Sequence, residues 1–398
     1  MGAGSGLKQL LELARLTLDG SEAAIERVLA LARAQLGLDL AFLSVVLERV
    51  EVVDLIEGDA ERFGIEPGSP VPFRFASGEP FLVVDAAHDP RVAAREAEAG
   101  IGAYVGVPVR LIDGRYYGTL GCLGSRADWT LNTRDVKFAQ VLAEVIAEQL
   151  ERQDLELDKR RVEARRIREI LEQGSMRLLF QPVFSLERLE LVAFEALARF
   201  PVEPWRPPSA WFAEAAEVGL AVDLELAAIQ AAITRLGDLP SQVRLCVNLS
   251  PATLVSAELH KLVDVVAERI DVELTEHAPV EDYEELSDAL TRLRQGGARL
   301  AIDDVGAGFA SLRHILRLAP DVVKLDVSLT RDIEVDAARS ALTSALVAFT
   351  TEIDAQIVAE GIENERALEL LRSLGVGFGQ GFLLGEPAAL SDGEHALQ

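Results

Sequence analysis

Residues 298–326 read ARLAIDDVGAGFASLRHILRLAPDVVKLD, and this stretch decides how the second half of the chain is read. An apolar run at 298–302 ends on the paired acids Asp303-Asp304. A glycine-bearing loop and a helical pattern follow, and a second apolar run at 322–325 carries Lys324 and ends on Asp326. Strand, loop, helix and strand, with charge at each strand end, is the repeating unit of a parallel α/β fold, whose active sites form where the carboxyl ends of strands meet.

Outward from this stretch the unit recurs. Further apolar runs lie at 178–184, 191–197, 243–249, 270–274, 355–359 and 376–382. Eight strand candidates with helical patterns between them, over about 220 residues, predict an α/β fold of the TIM-type (β/α)8 barrel class across 175–398. An open doubly wound sheet is the competing arrangement. The runs deliver polar residues at their ends: Glu195 and Arg199, Asn248, Glu273 and Glu276, Asp303-Asp304, Lys324 and Asp326, Glu360 and Glu363, and Gln380. In a barrel these converge on one rim. Carboxylates crowded together raise one another's pKa, so they are tolerated only if protonated, exposed or bridged by cations. Oxygen ligands from Glu, Asp and Asn, without His or Cys, select Mg2+ or Mn2+ over zinc, and two such ions are the economical solution.

The first half has a different rhythm. Helical spacing at 7–18 and 23–36, then strand patterns at 41–47, 81–84, 104–111 and 117–123 with Asp113-Gly114 as a hairpin turn, predict an α+β domain over 1–150. From 133 to 173 there is neither Pro nor Gly. That predicts one long helix, capped by Asn132 and stopped at Gly174, whose part from 151 to 174 is too charged for a core and serves as a linker. Pairing of this helix across a homodimer, burying Leu142, Val145 and Leu150, is the expected use of its apolar stripe.

Composition narrows the function. The 398 residues, 49% hydrophobic and 26% charged, suit a folded protein of about two domains. A formal charge of −26 disfavours binding to duplex nucleic acid, which needs clustered Lys and Arg. An anionic small substrate then requires metal ions and a few basic side chains to reverse the sign locally. No window approaches the roughly 18 unbroken apolar residues of a spanning helix, so no membrane insertion is expected and a cytoplasmic location is. Cys122 and Cys246 sit in apolar runs without CxxC spacing and read as buried reduced thiols.

The motifs also carry a family likeness. Gln181-Pro182-Val183, Glu195-Ala196-Leu197-Ala198-Arg199, Asn248-Leu249-Ser250-Pro251, Glu273-Leu274-Thr275-Glu276, Asp303-Asp304-Val305-Gly306, Lys324-Leu325-Asp326, Glu360-Gly361-Ile362-Glu363 and Gln380-Gly381-Phe382 resemble, in order, the signature of EAL-domain cyclic di-GMP phosphodiesterases. The resemblance implies a barrel with one strand antiparallel to the rest, and hydrolysis of cyclic di-GMP to linear pGpG. It implies one metal held by Glu195, Asn248, Glu273 and Asp303 and a second held by Asp303, Asp304 and Glu360. Glu195, Asp304, Glu360 and Lys324 then form the catalytic set, with Lys324 positioning or deprotonating the attacking water. Arg199 holds a substrate phosphate, Gln181 and Gln380 help to seat the dinucleotide and hydrated metal, and Asp326 joins this substrate-binding group. Glu276 anchors the loop after Asp303-Asp304, and Asp326 and Glu363 belong to the supporting shell. Where the family most often continues DDFG with Gly-Tyr-Ser-Ser, this chain has Val305 and then Gly306-Ala307-Gly308-Phe309-Ala310-Ser311.

The N-terminal part resembles a GAF sensor domain in Val105-Gly106-Val107-Pro108-Val109 and Gly118-Thr119-Leu120-Gly121, preceded by Asp85, His88, Asp89 and Pro90. That implies regulation by an unidentified small-molecule ligand or signal. Two other readings of the second half stay open: a receptor that binds the dinucleotide without cutting it, and an enolase-type site in which Lys324 abstracts a proton beside a metal-held carboxylate.

Overall fold

The computed structural model describes residues 22–47, 50–71, 79–92, 100–275, 282–306 and 310–390. The helix expected over 7–18, Glu276 and loop residues 307–309 lie outside them. The chain divides into two compact units, Met1–Arg161 and Val162–Gln398.

The first unit is built on a five-stranded sheet in the order β2-β1-β5-β4-β3, from β1 (Leu40–Leu47), β2 (Val50–Gly58), β3 (Phe81–Val83), β4 (Ala103–Arg110) and β5 (Tyr116–Gly124), each pair antiparallel. Side chains alternate between the two faces of a strand, and two cores result. Ala41, Leu43, Val105, Val107 and Leu120 pack with helix α1 (Glu22–Leu36) and the first half of helix α2 (Thr133–Gln173), while Leu40, Phe42, Tyr104 and Leu123 face Phe63, Ile65 and Val83. Glycine makes the second core possible: a Cβ on Gly106 would fall 2.1 Å from the Tyr104 hydroxyl, and one on Gly121 2.3 Å from the Phe42 ring. Strand β2 is absent from the sequence-based strand set. Its Glu51, Asp54 and Glu57 break the apolar run, although Asp54 is buried in the strand.

Helix α2 starts and stops as the sequence predicts. Asn132 Oδ1 accepts from the Arg134 amide at 2.9 Å and Asp135 Oδ2 accepts from the Asn132 amide at 2.7 Å, a reciprocal cap. At the other end Gly174 takes a left-handed φ of 60°. The stripe expected to meet a partner chain is used otherwise: Leu142 and Leu150 are buried in this unit's own core with Ala139, Ala143 and Ile146, leaving only Val145 of the three on the surface. Spacing shows that a stripe is apolar, not which surface covers it.

The second unit is a closed eight-stranded barrel in the order β10-β11-β12-β13-β6-β7-β8-β9, which rules out the open sheet. Its strands are β6 (Arg177–Ser185), β7 (Leu191–Arg199), β8 (Arg244–Leu249), β9 (Ile270–Thr275), β10 (Arg299–Val305), β11 (Val322–Leu325), β12 (Gln356–Ala359) and β13 (Phe378–Gly379). β6 runs antiparallel to both β7 and β13; the other neighbours are parallel. Between them lie α3 (Pro208–Glu217), α4 (Ala221–Thr234), α5 (Pro251–Leu254), α6 (Ala257–Val263), α7 (Tyr283–Gln295), α8 (Ala310–Leu318), α9 (Val327–Thr330), α10 (Ala337–Glu352) and α11 (Glu365–Ser373).

The two-residue period of the strands sorts the barrel wall. Leu245, Val247, Leu300, Ile302, Val323, Leu325 and Ala359 face the helices. Val183, Ala193, Cys246, Ala301, Val322 and Val358 form a small apolar plug of their own. Beside it, Asp271 is gripped by Arg244 at 2.7 Å and Arg299 at 2.5 Å. Among the described residues no helix is long and apolar enough to cross a membrane.

The packing of α2 has a measurable consequence. Ile146→Ala, which empties a fully buried position, is expected to destabilise the protein by about 2–5 kcal/mol. Val145→Ala, one residue along on the surface, should stay within about 0.5 kcal/mol. Chemical denaturation of the two variants checks this, and equal midpoints would contradict the packing.

Candidate active site

Two residues beyond the plug on each strand, the same inward parity places Gln181, Glu195, Asn248, Glu273, Asp303, Lys324 and Glu360, with Gln380 just past β13. Every strand of the barrel thus contributes one polar group to a single layer. Gln181 pairs in register with Glu195 across the antiparallel β6–β7 ladder, and Asn248 with Glu273 across β8–β9.

Lys324 occupies the middle of this layer. Its Nζ lies 3.2 Å from Glu195, 3.0 Å from Glu273, 3.1 Å from Asp303 and 2.7 Å from Glu360, and the lysine is buried. Gln380 Nε2 donates to Glu195 at 2.7 Å and to Glu360 at 3.1 Å, and Asn248 Nδ2 donates to the other oxygen of Glu195 at 3.0 Å. Asp326 is not among the acids around Lys324. Asp326 instead caps α9, its Oδ1 accepting from the Ser328 amide at 2.9 Å.

Asp304 reaches the mouth by a backbone device. In a regular strand consecutive side chains face opposite ways, so Asp303 and Asp304 could not both point inward. The β10–β11 register shifts between Ile302 and Val305, and Asp304 takes a left-handed φ of 56°. That conformation is tolerated by Asp better than by most residues and recurs at functional sites. As a result one carboxylate oxygen each from Asp303, Asp304 and Glu360 lie within 4.8 Å of one another, as do oxygens from Glu195, Glu273 and Asp303. Asp303 belongs to both groups.

Two glycines let the Glu360 loop pack against α9 and against the Gln380 loop. A Cβ on Gly361, at φ 65°, would fall 2.4 Å from Val327, and one on Gly381 2.2 Å from the Ile362 backbone. The buried Thr330 hydroxyl donates to the Glu360 carbonyl. Sequence reasoning missed Thr330, whose only signal was its place one short helix after Lys324-Leu325-Asp326. Arg199 ends β7 with Nη1 donating to the Ala198 carbonyl at 2.8 Å; Gln181 Nε2 lies 3.4 Å from the Gly385 carbonyl; Glu363 is exposed.

The charges in this layer do not balance. Burial would drain the charge of Lys324, but Asp303, Glu195, Glu273 and Glu360 outweigh it and hold the ammonium well above the ordinary lysine pKa. Burial likewise lifts Glu273 well above the carboxylate range, with Glu195 and Asp303 adding to the rise. Burial pushes Glu360 up to about 8 despite Lys324 beside it. Glu195 resists burial and stays low because Lys324, Gln380 and Asn248 all favour its charged form. Asp303 Oδ1, although near Lys324, and Gln380 Oε1 are buried acceptors with no hydrogen bond. Oxygen donors in excess, unfilled acceptors and protons taken up to relieve repulsion together fit divalent cations.

The family model for the EAL domain matches residues 164–387, more than half of the 398. The chain belongs to the EAL domain family. EAL domains are metal-dependent, in keeping with the donor set above. The family model for the GAF domain matches residues 21–150, the region of the five-stranded sheet. The EAL part is 30% identical over 233 residues to a cyclic di-GMP phosphodiesterase of Escherichia coli K12, PdeR, covering 56% of this chain and 35% of that protein. It is 28% identical to BlrP1 of Klebsiella pneumoniae, solved with calcium and cyclic di-GMP, at a TM-score of 0.50 over 55% of this chain and 57% of that one. It is 27% identical to the PaMucR phosphodiesterase in complex with c-di-GMP, at a TM-score of 0.52 over 57% of this chain and 97% of that one. The chain spans about 30% of the length of other curated relatives it matches.

In chelator, the EAL site ties stability to pH. Glu360, raised to about 8 in the fold against about 4.3 unfolded, contributes stability that is complete below the lower value and is lost as pH climbs through the higher. The buried Glu273 acts in the same direction; Lys324 and Glu195 keep their charges throughout the interval. The melting temperature in EDTA should therefore fall between about pH 5 and 8, less steeply in Glu360→Gln, and added Mn2+ should lift the alkaline end most. A flat profile for the native chain in EDTA would refute this charge assignment.

Proposed function

We propose that the protein is a phosphodiesterase that opens cyclic di-GMP to linear pGpG with two Mg2+ or Mn2+ ions, under the control of its GAF domain. The observation that carries the reading is the convergence of Glu195, Glu273, Asp303, Asp304 and Glu360 around one mouth with a lysine among them. The names borne by its relatives support the choice of substrate. Glu195, Asn248, Glu273 and Asp303 would hold one ion and Asp303, Asp304 and Glu360 the other. Bound there, the ions supply Lewis acidity to a phosphate oxygen and lower the pKa of water from about 15.7 towards about 7.

The protein's own groups do the rest. Four carboxylates hold the proton on Lys324, so it acts first as a donor that orients the attacking water. Water adds at phosphorus and the P–O3′ bond breaks, leaving a 5′-phosphate and a free 3′-hydroxyl. Arg199, at the end of β7, would take a substrate phosphate, and Gln181 and Gln380 would seat the nucleotide beside Glu195. The small apolar plug lies beneath them.

A homodimer and a cytoplasmic setting complete the reading. Helix α2 exposes Val141, Leu155 and Val162 along its length, besides Val145, and both thiols are free and buried, as suits a reducing compartment. The GAF domain would take a small-molecule ligand or another signal.

Incubation with cyclic di-GMP and Mn2+ should yield pGpG by chromatography, and EDTA should stop it. Glu195→Ala is expected to lower kcat/KM by at least about 100-fold, and Lys324→Ala by about 100-fold or more with a smaller change in KM. Tight binding of an uncut dinucleotide, or turnover indifferent to Glu195→Ala, would dispose of the enzyme. Light scattering that finds a monomer at assay concentration would dispose of the dimer.

A further inference from the structure

Asn248 is the one neutral side chain among the proposed metal ligands, and Glu225, which meets its motif at Ser250, lies outside every motif quoted above. Its strand ends at Leu249, and Ser250 follows. Glu225, on α4, accepts two hydrogen bonds from Ser250 on a single carboxylate oxygen, 2.8 Å from the backbone amide and 2.9 Å from the hydroxyl. The same hydroxyl caps α5, accepting from the Thr253 amide at 3.4 Å. Two residues upstream, Asn248 donates to Glu195 at 3.0 Å.

The surroundings make this tie matter. A cavity of about 410 Å3 opens between the β7–β8 wall and helices α3 and α4, lined by Glu225, Ser250, Asn248, Arg199 and the small side chains of Ala196 and Ala228. A side chain beside open space lacks contact atoms on that side and gains no dispersion energy to fix it. Val247 and Leu249 are held by the core, but on the cavity side the residue after the strand is tied by the carboxylate of Glu225. From this we infer that Glu225 is a positioning residue: acting through Ser250, it fixes the β8 end so that Asn248 is presented beside Glu195 for the divalent cation. The inference rests on the proposed metal-dependent activity only in its kinetic arm, since cation binding can be read without substrate.

The experiment titrates Mn2+ into the full-length protein without substrate, following free Mn2+ by electron paramagnetic resonance, and separately measures pGpG formation at increasing Mn2+. Glu225→Ala should raise the Mn2+ concentration for half-saturation by about 10-fold, with kcat at saturating Mn2+ recovering to within about threefold of the native rate. Glu225→Gln keeps an acceptor oxygen and should restore binding to within about threefold. In an Asn248→Ala background, adding Glu225→Ala should weaken Mn2+ binding no further, because partners acting through one group are not additive. Should Glu225→Ala fail to fold, Ser250→Ala carries the same expectation at smaller size, and its loss too should vanish in the Asn248→Ala background. Native Mn2+ affinity in the folded Ala variant, or a full additional loss in the Asn248→Ala background, overturns the inference. A native protein that binds Mn2+ but cuts nothing overturns the proposed activity and leaves the positioning role standing.

Discussion

Four acids facing one ammonium inside a barrel is the constraint on which the rest of this structure depends. Burying an ionised carboxylate without a partner is strongly unfavourable, and Lys324 can compensate one negative charge, not four. The fold therefore carries a built-in deficit of positive charge, relieved in part by raised pKa values at Glu273 and Glu360. Such an arrangement is a poor way to stabilise a barrel. It is explicable as a site organised for cations that complete it.

Closure of the barrel assembles this layer from distant parts of the sequence. Glu195 meets Lys324 across 129 positions and Gln380 across 185, and no local helix or hairpin spans those separations. Closure makes the period of two decisive: on strand after strand one inward residue fills the apolar plug and the next inward residue is polar. The exceptions are informative. At β9 the lower position is Asp271, neutralised by Arg244 and Arg299, and at β10 a register shift lets two consecutive acids share one direction.

Much of this could be read from the chain alone, because strand ends in a parallel fold write their functional groups directly after apolar runs. Asp303-Asp304 after 298–302 and Glu360 after 355–359 needed no structure to be noticed. Other features had no one-dimensional signature. Strand β2 hid behind three acidic residues, and the helix stripe at Leu142 and Leu150 turned out to serve the unit's own core, since periodicity is silent about the partner. Asp326 reads from its motif as a substrate-binding or supporting residue, and that its carboxylate caps a four-residue helix shows only in three dimensions. The position of Lys324 among its acids, and the grip of Glu225 on Ser250, depend on distances between elements, which no spacing rule encodes.

Within the barrel unit, the end of α2 is joined to the same machinery by packing. Ile167 and Ile170 are buried against Phe200 and Trp211, and Phe200 is the residue after Arg199. Beside them Glu214 is held by Arg206 at 2.6 Å and Arg166 at 3.3 Å, and the Arg206 guanidinium stacks 3.7 Å from the Trp211 ring centre. Close-packed side chains do not deform continuously, so a shift of the helix end has to be met by rearrangement at Phe200, one peptide from the proposed phosphate ligand. Contact of this kind is a route. Coupling needs, besides contact, two packed arrangements of the helix end that a ligand favours unequally.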